Sequence, residues 1–95
     1  MGKANMMANV LRISSVRERT GLGRSTVYLL ISEGTFPPPL KLTLRSSGWL
    51  SSWVDLWLEI LMAKRDGTID SWVTDNKLEL EPWALNLINR KGDGE

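Results

Sequence analysis

LRISSVRERTGLGRSTVYLLISEGTFPPPLKLTLRSSGWL, residues 11–50, is the stretch that decides the fold. Ser15 and Glu18 have the S-x-x-E spacing of a capping box, in which each side chain satisfies a free backbone N–H of the other. That spacing predicts a helix starting at Ser14 or Ser15, with Val16 facing inward and Arg17 and Arg19 outward. Thr20 and Gly21 end it, because Gly21 can take left-handed backbone angles at which a side chain clashes. Leu22 plugs the turn. Gly23 takes the N-cap of a second helix, a weaker choice than Ser or Asp. That helix is expected to run from Arg24 to about Glu33. Val27, Leu30 and Ile31 recur at three and four residues and share its buried stripe. Gly34 stops it, and three prolines follow. Prolines fix an extended backbone and donate no hydrogen bonds, which neither a helix interior nor a central strand tolerates.

Leu40, Leu42 and Leu44 alternate with Lys41 and Thr43, the period of a strand. Arg45, Ser46, Ser47 and Gly48 read as a turn, and Trp49 and Leu50 as the start of a return strand. Two short helices on a Gly turn, then a loop, then a hairpin with basic residues near its tip, is the order of a winged helix-turn-helix. The predicted fold class is therefore mostly α with a small β-hairpin wing.

Outward from that stretch, residues 1–9 read as a flexible arm and Val10 to Ile13 as a short strand or extended lead-in. Ser51 or Ser52 is expected to cap a third helix that ends near Lys64 or Arg65, with Gly67 just past it. Val54, Trp57, Leu58 and Leu61 cluster on one face, and Trp53, Leu56 and Ile60 form a neighbouring apolar strip. Together they span about 200° at ~100° per residue, twice what a surface helix needs. Something must cover the second strip, either the tail or another subunit. The tail supplies Trp72, Val73, Leu78, Leu80, Trp83, Leu85, Leu87 and Ile88. In it KLELE reads as a possible strand, Pro82 as the first turn of a helix through about Arg90, and KGDGE as a fraying end. The organisation is thus an arm (1–9), a winged helix-turn-helix (10–66) and an acidic C-terminal extension (67–95) that packs in cis or dimerises.

The totals narrow the function. Ninety-five residues fit one domain with a thin core, which oligomerisation naturally supplements. There is no cysteine and no histidine, which excludes disulfides and thiolate metal sites and removes the usual general base and nitrogen ligand. The Asp55 and Glu59 pair is a weak enzyme or Mg²⁺ signal against a solvated helix face. No catalytic residue, cofactor, metal or small-molecule substrate is expected, and the chain reads as a non-enzyme. Residues 1–9 lack a secretion signal and no run approaches the ~20 apolar residues of a membrane span, so the expected location is the cytoplasm. Charge is split: residues 1–65 hold nine Lys/Arg against four acids, a net of +5, and residues 66–95 three against seven, a net of −4. Any polyanion contact belongs to the front.

Arg24, Ser25, Thr26 and Tyr28 supply donors at the start of the second helix, the part of a helix-turn-helix that meets base edges. Arg pairs with guanine O6 and N7, and Ser or Thr serves base edges or phosphates. Lys41 and Arg45 on the hairpin suit a phosphate backbone or a minor groove, or simply discourage edge pairing. Arg17 and Arg19 suit phosphates or surface ion pairs. The five tryptophans read as core or interface rather than as base-stacking surfaces.

Residues 11–65 resemble the AlpA-type phage and prophage regulators, small winged helix-turn-helix proteins of the MerR/excisionase kind. The matching pieces are RTGLGRSTVYLLISEGTFPPP, LKL, then Arg45, GW, and VDLWL in the third helix. The resemblance implies binding to operator or attachment-site DNA, often through several protomers, and activation of an integrase or excision operon or direct assistance to excision. It carries the recognition-helix contacts to Arg24, Ser25, Thr26 and Tyr28, and the wing contact to Arg45. The chain departs from the family where Gly23 stands for the usual Ser, Leu29 for the usual Arg after the tyrosine, and Trp53 for the usual acid. The expected partners are double-stranded DNA and a second copy of the chain, as a homodimer or a cooperative oligomer. The alternative is a protein-interaction module, an antirepressor or adaptor, whose acidic tail binds a protein partner or masks the DNA face.

Overall fold

The computed structural model describes residues 9–76 and 80–90. Within them five helices surround a small sheet: β1 (Val10–Leu11), α1 (Ile13–Thr20), α2 (Arg24–Ser32), β2 (Leu40–Lys41), β3 (Ser47–Leu50), α3 (Ser51–Asp66), α4 (Ile69–Asn76) and α5 (Pro82–Asn89). This is the mostly helical fold with a hairpin wing that the sequence predicts. Of the other sequence readings, the arm over residues 1–8, most of KLELE and the KGDGE end lie outside the described residues.

The sheet is antiparallel in the order β1-β3-β2. Val10 faces Leu50 and Leu11 faces Trp49, while Leu40 faces Gly48 and Lys41 faces Ser47. Gly48 is forced by this arrangement. A Cβ there would run into Val10 Cγ1, and the Leu11 carbonyl and Leu42 Cδ1 also press on it. The hairpin therefore closes against β1 only because position 48 has no side chain.

Two caps differ from the sequence reading. The first helix starts at Ile13 with Arg12 as its N-cap, and Arg12 supplies no side-chain cap; its carbonyl accepts from Ser15 and Val16 N–H. Ser15 lies inside the helix, so the Ser15–Glu18 capping box does not form. The chain is already committed at Leu11 by pairing with β3, and it turns into the helix directly. The third helix likewise has Leu50 at its N-cap and Ser51 as its first helical residue. Ser51 Oγ instead accepts the Asn9 N–H (2.8 Å), and Ser51 N–H donates to the Asn9 carbonyl. Both serines sit where a strand runs straight into a helix. The glycine stops do hold: Gly21 adopts φ 76° and closes α1 by donating its N–H to the Arg17 carbonyl.

The core gathers Val16, Val27, Phe36, Trp49, Val54, Trp57, Ile60, Trp83, Ala84 and Leu87. Leu11, Leu22, Leu30, Ile31, Leu58 and Leu61 pack around it half-buried. On α3 the deepest positions are Val54, Trp57, Ile60 and Ala63, so Ile60 belongs to the centre and Leu58 and Leu61 to its margin. Three of the tryptophans are buried and two half-buried. Trp49 and Trp57 donate their indole N–H groups to the carbonyls of Pro37 and Thr35, each at 3.0 Å. Phe36, between those carbonyls, meets the Trp57 ring edge-on at 5.0 Å. The proline segment is thus held by its backbone oxygens, the only hydrogen-bonding groups its prolines retain.

The second strip of α3 is covered by the extension. Helix α5 packs on α3 and buries Trp83, Ala84 and Leu87. Lys64 Nζ donates to the carbonyls of Leu87 (2.7 Å) and Arg90 (3.0 Å), closing the C-terminal end of α5. Helix α4 also packs on α3 but buries no residue completely. An apolar groove of about 250 Å³ remains between Phe36, Pro38, Trp53, Pro82 and Trp83. The Trp83 indole N–H is buried without a partner among the described residues.

Two stability predictions follow from this packing. Trp49→Phe strands the Pro37 carbonyl and should cost about 1–3 kcal/mol, read as a lower urea midpoint. Ending the chain at Gly67 removes the buried Trp83 and Leu87, at ~1.5–3 kcal/mol each. The shortened chain should lose at least about 3 kcal/mol; unchanged stability would separate the extension from the core.

Candidate nucleic-acid interface

The local sequence sets up an open helix start on α2. Gly23 occupies the N-cap in an extended conformation and offers no side-chain acceptor. No acid lies in the first turn. The N–H groups of that turn therefore project a partial positive charge outward. Arg24, Ser25 and Thr26 are exposed there, and neither hydroxyl has a hydrogen-bond partner among the described residues. Val27 is fully buried, so it fixes the rotation of the helix and turns the three polar residues away from the core.

Tyr28 is 41% exposed and has two neighbours. The Arg24 guanidinium lies 5.6 Å from its ring centre, and the Trp49 ring meets it edge-on at 6.1 Å. Sequence reasoning selected Tyr28 as a donor and missed its second role. Through Trp49 it ties α2 to β3, and so the recognition-helix candidate to the wing. The Arg24 contact holds the cation loosely, since an exposed cation–π pair is worth about 0.5–1 kcal/mol.

The hairpin differs from its predicted form. Strand β2 covers Leu40–Lys41 alone, and β3 already begins at Ser47. The turn is therefore residues 42–46, with Leu44 at its centre, instead of the predicted turn from Arg45 to Gly48. It is closed by Leu42 N–H to the Ser46 carbonyl (2.8 Å), Thr43 N–H to the same carbonyl (3.2 Å) and Arg45 N–H to Thr43 Oγ1 (3.2 Å). The alternation of Leu40, Leu42 and Leu44 does not mark a buried face. All three are exposed, because nothing packs on the outer side of this edge strand. Arg45 stands in the turn beside Leu44, and Lys41 stands exposed on β2.

The two arginines of α1 part ways. Arg19 donates to Asp55 on α3 at 2.8 Å, which also accounts for the acid of the Asp55–Glu59 pair. Both partners are well exposed, so this pair contributes about 0.2–1 kcal/mol. Arg17 is exposed and beside Glu18 at the turn, with no ion pair among the described residues. Across the described residues, Arg12, Arg17, Arg24, Lys41 and Arg45 are the exposed cations with no ion pair. All five lie on β1–α1, the start of α2 or the wing. Arg12, the N-cap residue of α1, was not among the residues that the sequence singled out.

The extension does not mirror this charge. An ion pair that joins it to the front half has the reverse polarity: Arg90 donates to Glu33 at 2.9 Å, at the C-terminal end of α2. Asn86 also donates to the Gly34 carbonyl at 2.9 Å. No described acid of the extension pairs with Arg24, Lys41 or Arg45. Among the described residues no acidic cluster able to hold a metal occurs, and no helix is long and apolar enough to cross a membrane.

Comparison with known proteins points to the same part of the chain. The family described as prophage CP4-57 regulatory protein (AlpA) matches residues 9–62. An uncharacterized protein, ORF88, of Enterobacteria phage P4 is 39% identical over 61 residues, covering 64% of this chain and 69% of the phage protein. The DNA-binding transcriptional activator AlpA of Escherichia coli K12 is 33% identical over 55 residues, covering 52% of this chain and 79% of that protein. No solved structure shows a significant match. The family match spans β1 through most of α3, the segment that carries the Gly turn, the exposed start of α2 and the wing. The chain belongs to the AlpA family of phage and prophage regulatory proteins.

Proposed function

We propose that this protein is a sequence-specific double-stranded DNA-binding regulator of a phage or prophage, acting in transcription or as an excisionase-like factor. The start of α2 enters the major groove, and the wing lies on the adjoining backbone or minor groove. The observation that carries this reading is the set of exposed cations without ion pairs, spread over α1, the start of α2 and the wing and absent from α4 and α5. The E. coli relative, described as a DNA-binding transcriptional activator, supports it.

The residues divide by task. Arg24 leaves the Tyr28 ring at small cost and reaches guanine O6 and N7. Ser25 and Thr26 serve base edges or phosphates beside it. Arg17, Lys41 and Arg45 neutralise phosphates, and Arg19 joins them once it releases Asp55. Tyr28 positions the helix against the wing and offers its hydroxyl to the backbone. Leu29, exposed next to Tyr28, contributes no phosphate charge. A single module of this size covers about 600–1,000 Å² on DNA, so tight binding needs a dimer or neighbouring copies on repeated sites. No catalytic role is assigned to any residue.

Gel shifts against DNA upstream of the protein's own gene and of neighbouring phage genes, at two salt concentrations, test the reading. Arg24→Ala should weaken binding to the chosen site by about tenfold or more and relax one base position, at ~1–3 kcal/mol for a bidentate contact. Arg45→Ala should weaken binding to all duplexes alike and lower the salt slope by about one. Equal affinity for every duplex, unaffected by Arg24→Ala, contradicts sequence-specific reading by α2.

A further inference from the structure

The geometry points to Leu44 as an apolar wedge that the wing presses between stacked base pairs of the minor groove, unstacking one step and bending the duplex. This rests on the DNA-binding reading above and adds a distortion that base contacts and phosphate charge do not require.

Leu44 is 91% exposed, the most of any large apolar side chain among the described residues. A scattered surface leucine needs no explanation, but this one is not scattered. It occupies the centre of a five-residue turn, where Gly, Asn, Asp or Ser is the usual choice. Leu40 and Leu42 are also exposed and lead along the hairpin toward it. Leu42 leans over Gly48, which leaves Leu44 as the apex.

The apex is held as a wedge must be. Four hydrogen bonds close the turn among Leu42, Thr43, Arg45 and Ser46. The turn is therefore set before contact, and inserting its side chain orders little additional backbone. Its neighbours have the charge that a narrow groove attracts. Arg45 directly follows Leu44, and Lys41 lies on the same hairpin, neither with an ion pair among the described residues. An apolar tip flanked by cations suits minor-groove insertion, in which a Leu, Ile, Met, Phe or Pro partly unstacks a step. A lipid surface or another protein offers the leucine an apolar contact as well. Neither explains why the apex lies on the hairpin that Trp49 and Tyr28 fasten to the start of α2.

The test uses the full chain bound to the duplex it protects in a footprint. 2-Aminopurine is placed in turn at each step of the flank on the wing side, and the bend is measured by end-to-end energy transfer. Wild-type protein should brighten the probe at one step and bend the duplex by ~20–90°. Leu44→Ser should abolish both signals while retaining the footprint, and Leu44→Met should restore them. The exposure of Leu44 means that Leu44→Ser should leave thermal unfolding unchanged, which separates loss of the wedge from loss of the fold. Arg45→Ala should weaken binding yet keep the bright step in the complexes that form. A footprint from wild-type protein with no bright step and a straight duplex overturns the wedge and leaves the DNA-binding reading intact. Loss of cooperative binding by Leu44→Ser with an unchanged bend also overturns it and assigns Leu44 to a neighbouring copy. Absence of any footprint sinks both proposals together.

Discussion

The position of the Trp49 indole is the constraint on which the candidate face depends. Its N–H is spent on the Pro37 carbonyl, its ring edge meets Tyr28, and its backbone lies in the central strand of the sheet. One side chain therefore fixes the proline segment, α2 and the wing relative to one another. Gly48, immediately before it, makes the arrangement possible by leaving room for Val10 to cross. The GW pair is thus a single device: the glycine admits β1 and the tryptophan fastens what lies beneath. Trp57 makes the same kind of bond two residues earlier, on Thr35, and Phe36 between the two carbonyls meets the Trp57 ring.

This explains how a small chain presents two separate exposed elements in a fixed relation. Loops of this kind usually tolerate movement, and movement here would uncouple the start of α2 from the hairpin. Two indole donors and a proline-stiffened backbone remove that freedom. The remaining apolar width of α3 is closed by α5, whose last carbonyls receive Lys64. The extension thus lies at the opposite end of α2 from Arg24, near Glu33 and Gly34. The front of the helix stays open while its back end is tied down.

Much of this was legible from local signals. Gly21, Gly34 and Gly67 marked the ends of helices, the spacing of Val27, Leu30 and Ile31 oriented α2, and the width of the apolar face on α3 called for a cover. Pro82 announced α5. What was not legible depended on partners distant in sequence. Ser15 and Ser51 looked like caps because the pairing of β1 with β3, which delivers the chain directly into both helices, cannot be read from either serine. Leu40, Leu42 and Leu44 read as one strand because period alone does not show that pairing with β3 ends at Lys41. Helix α4 escaped notice since its apolar residues are few and only half-buried. Arg19 and Asp55 are 36 residues apart, and only the crossing of α1 with α3 brings them together. Of the candidate site, the residue types at the start of α2 were readable, whereas the Tyr28–Trp49 contact that aims them was not.

The central claim is that the first turn of α2 and the tip of the wing meet one duplex together. An ¹⁵N-labelled NMR titration with a duplex selected for binding tests it most directly. The account predicts that the largest amide shifts fall on Arg24, Ser25, Thr26 and Tyr28 and on Thr43 to Arg45, saturating with one common affinity, while Trp83 and Asn86 stay still. Shifts confined to the groove around Trp53 and Trp83, with the start of α2 silent, would contradict it.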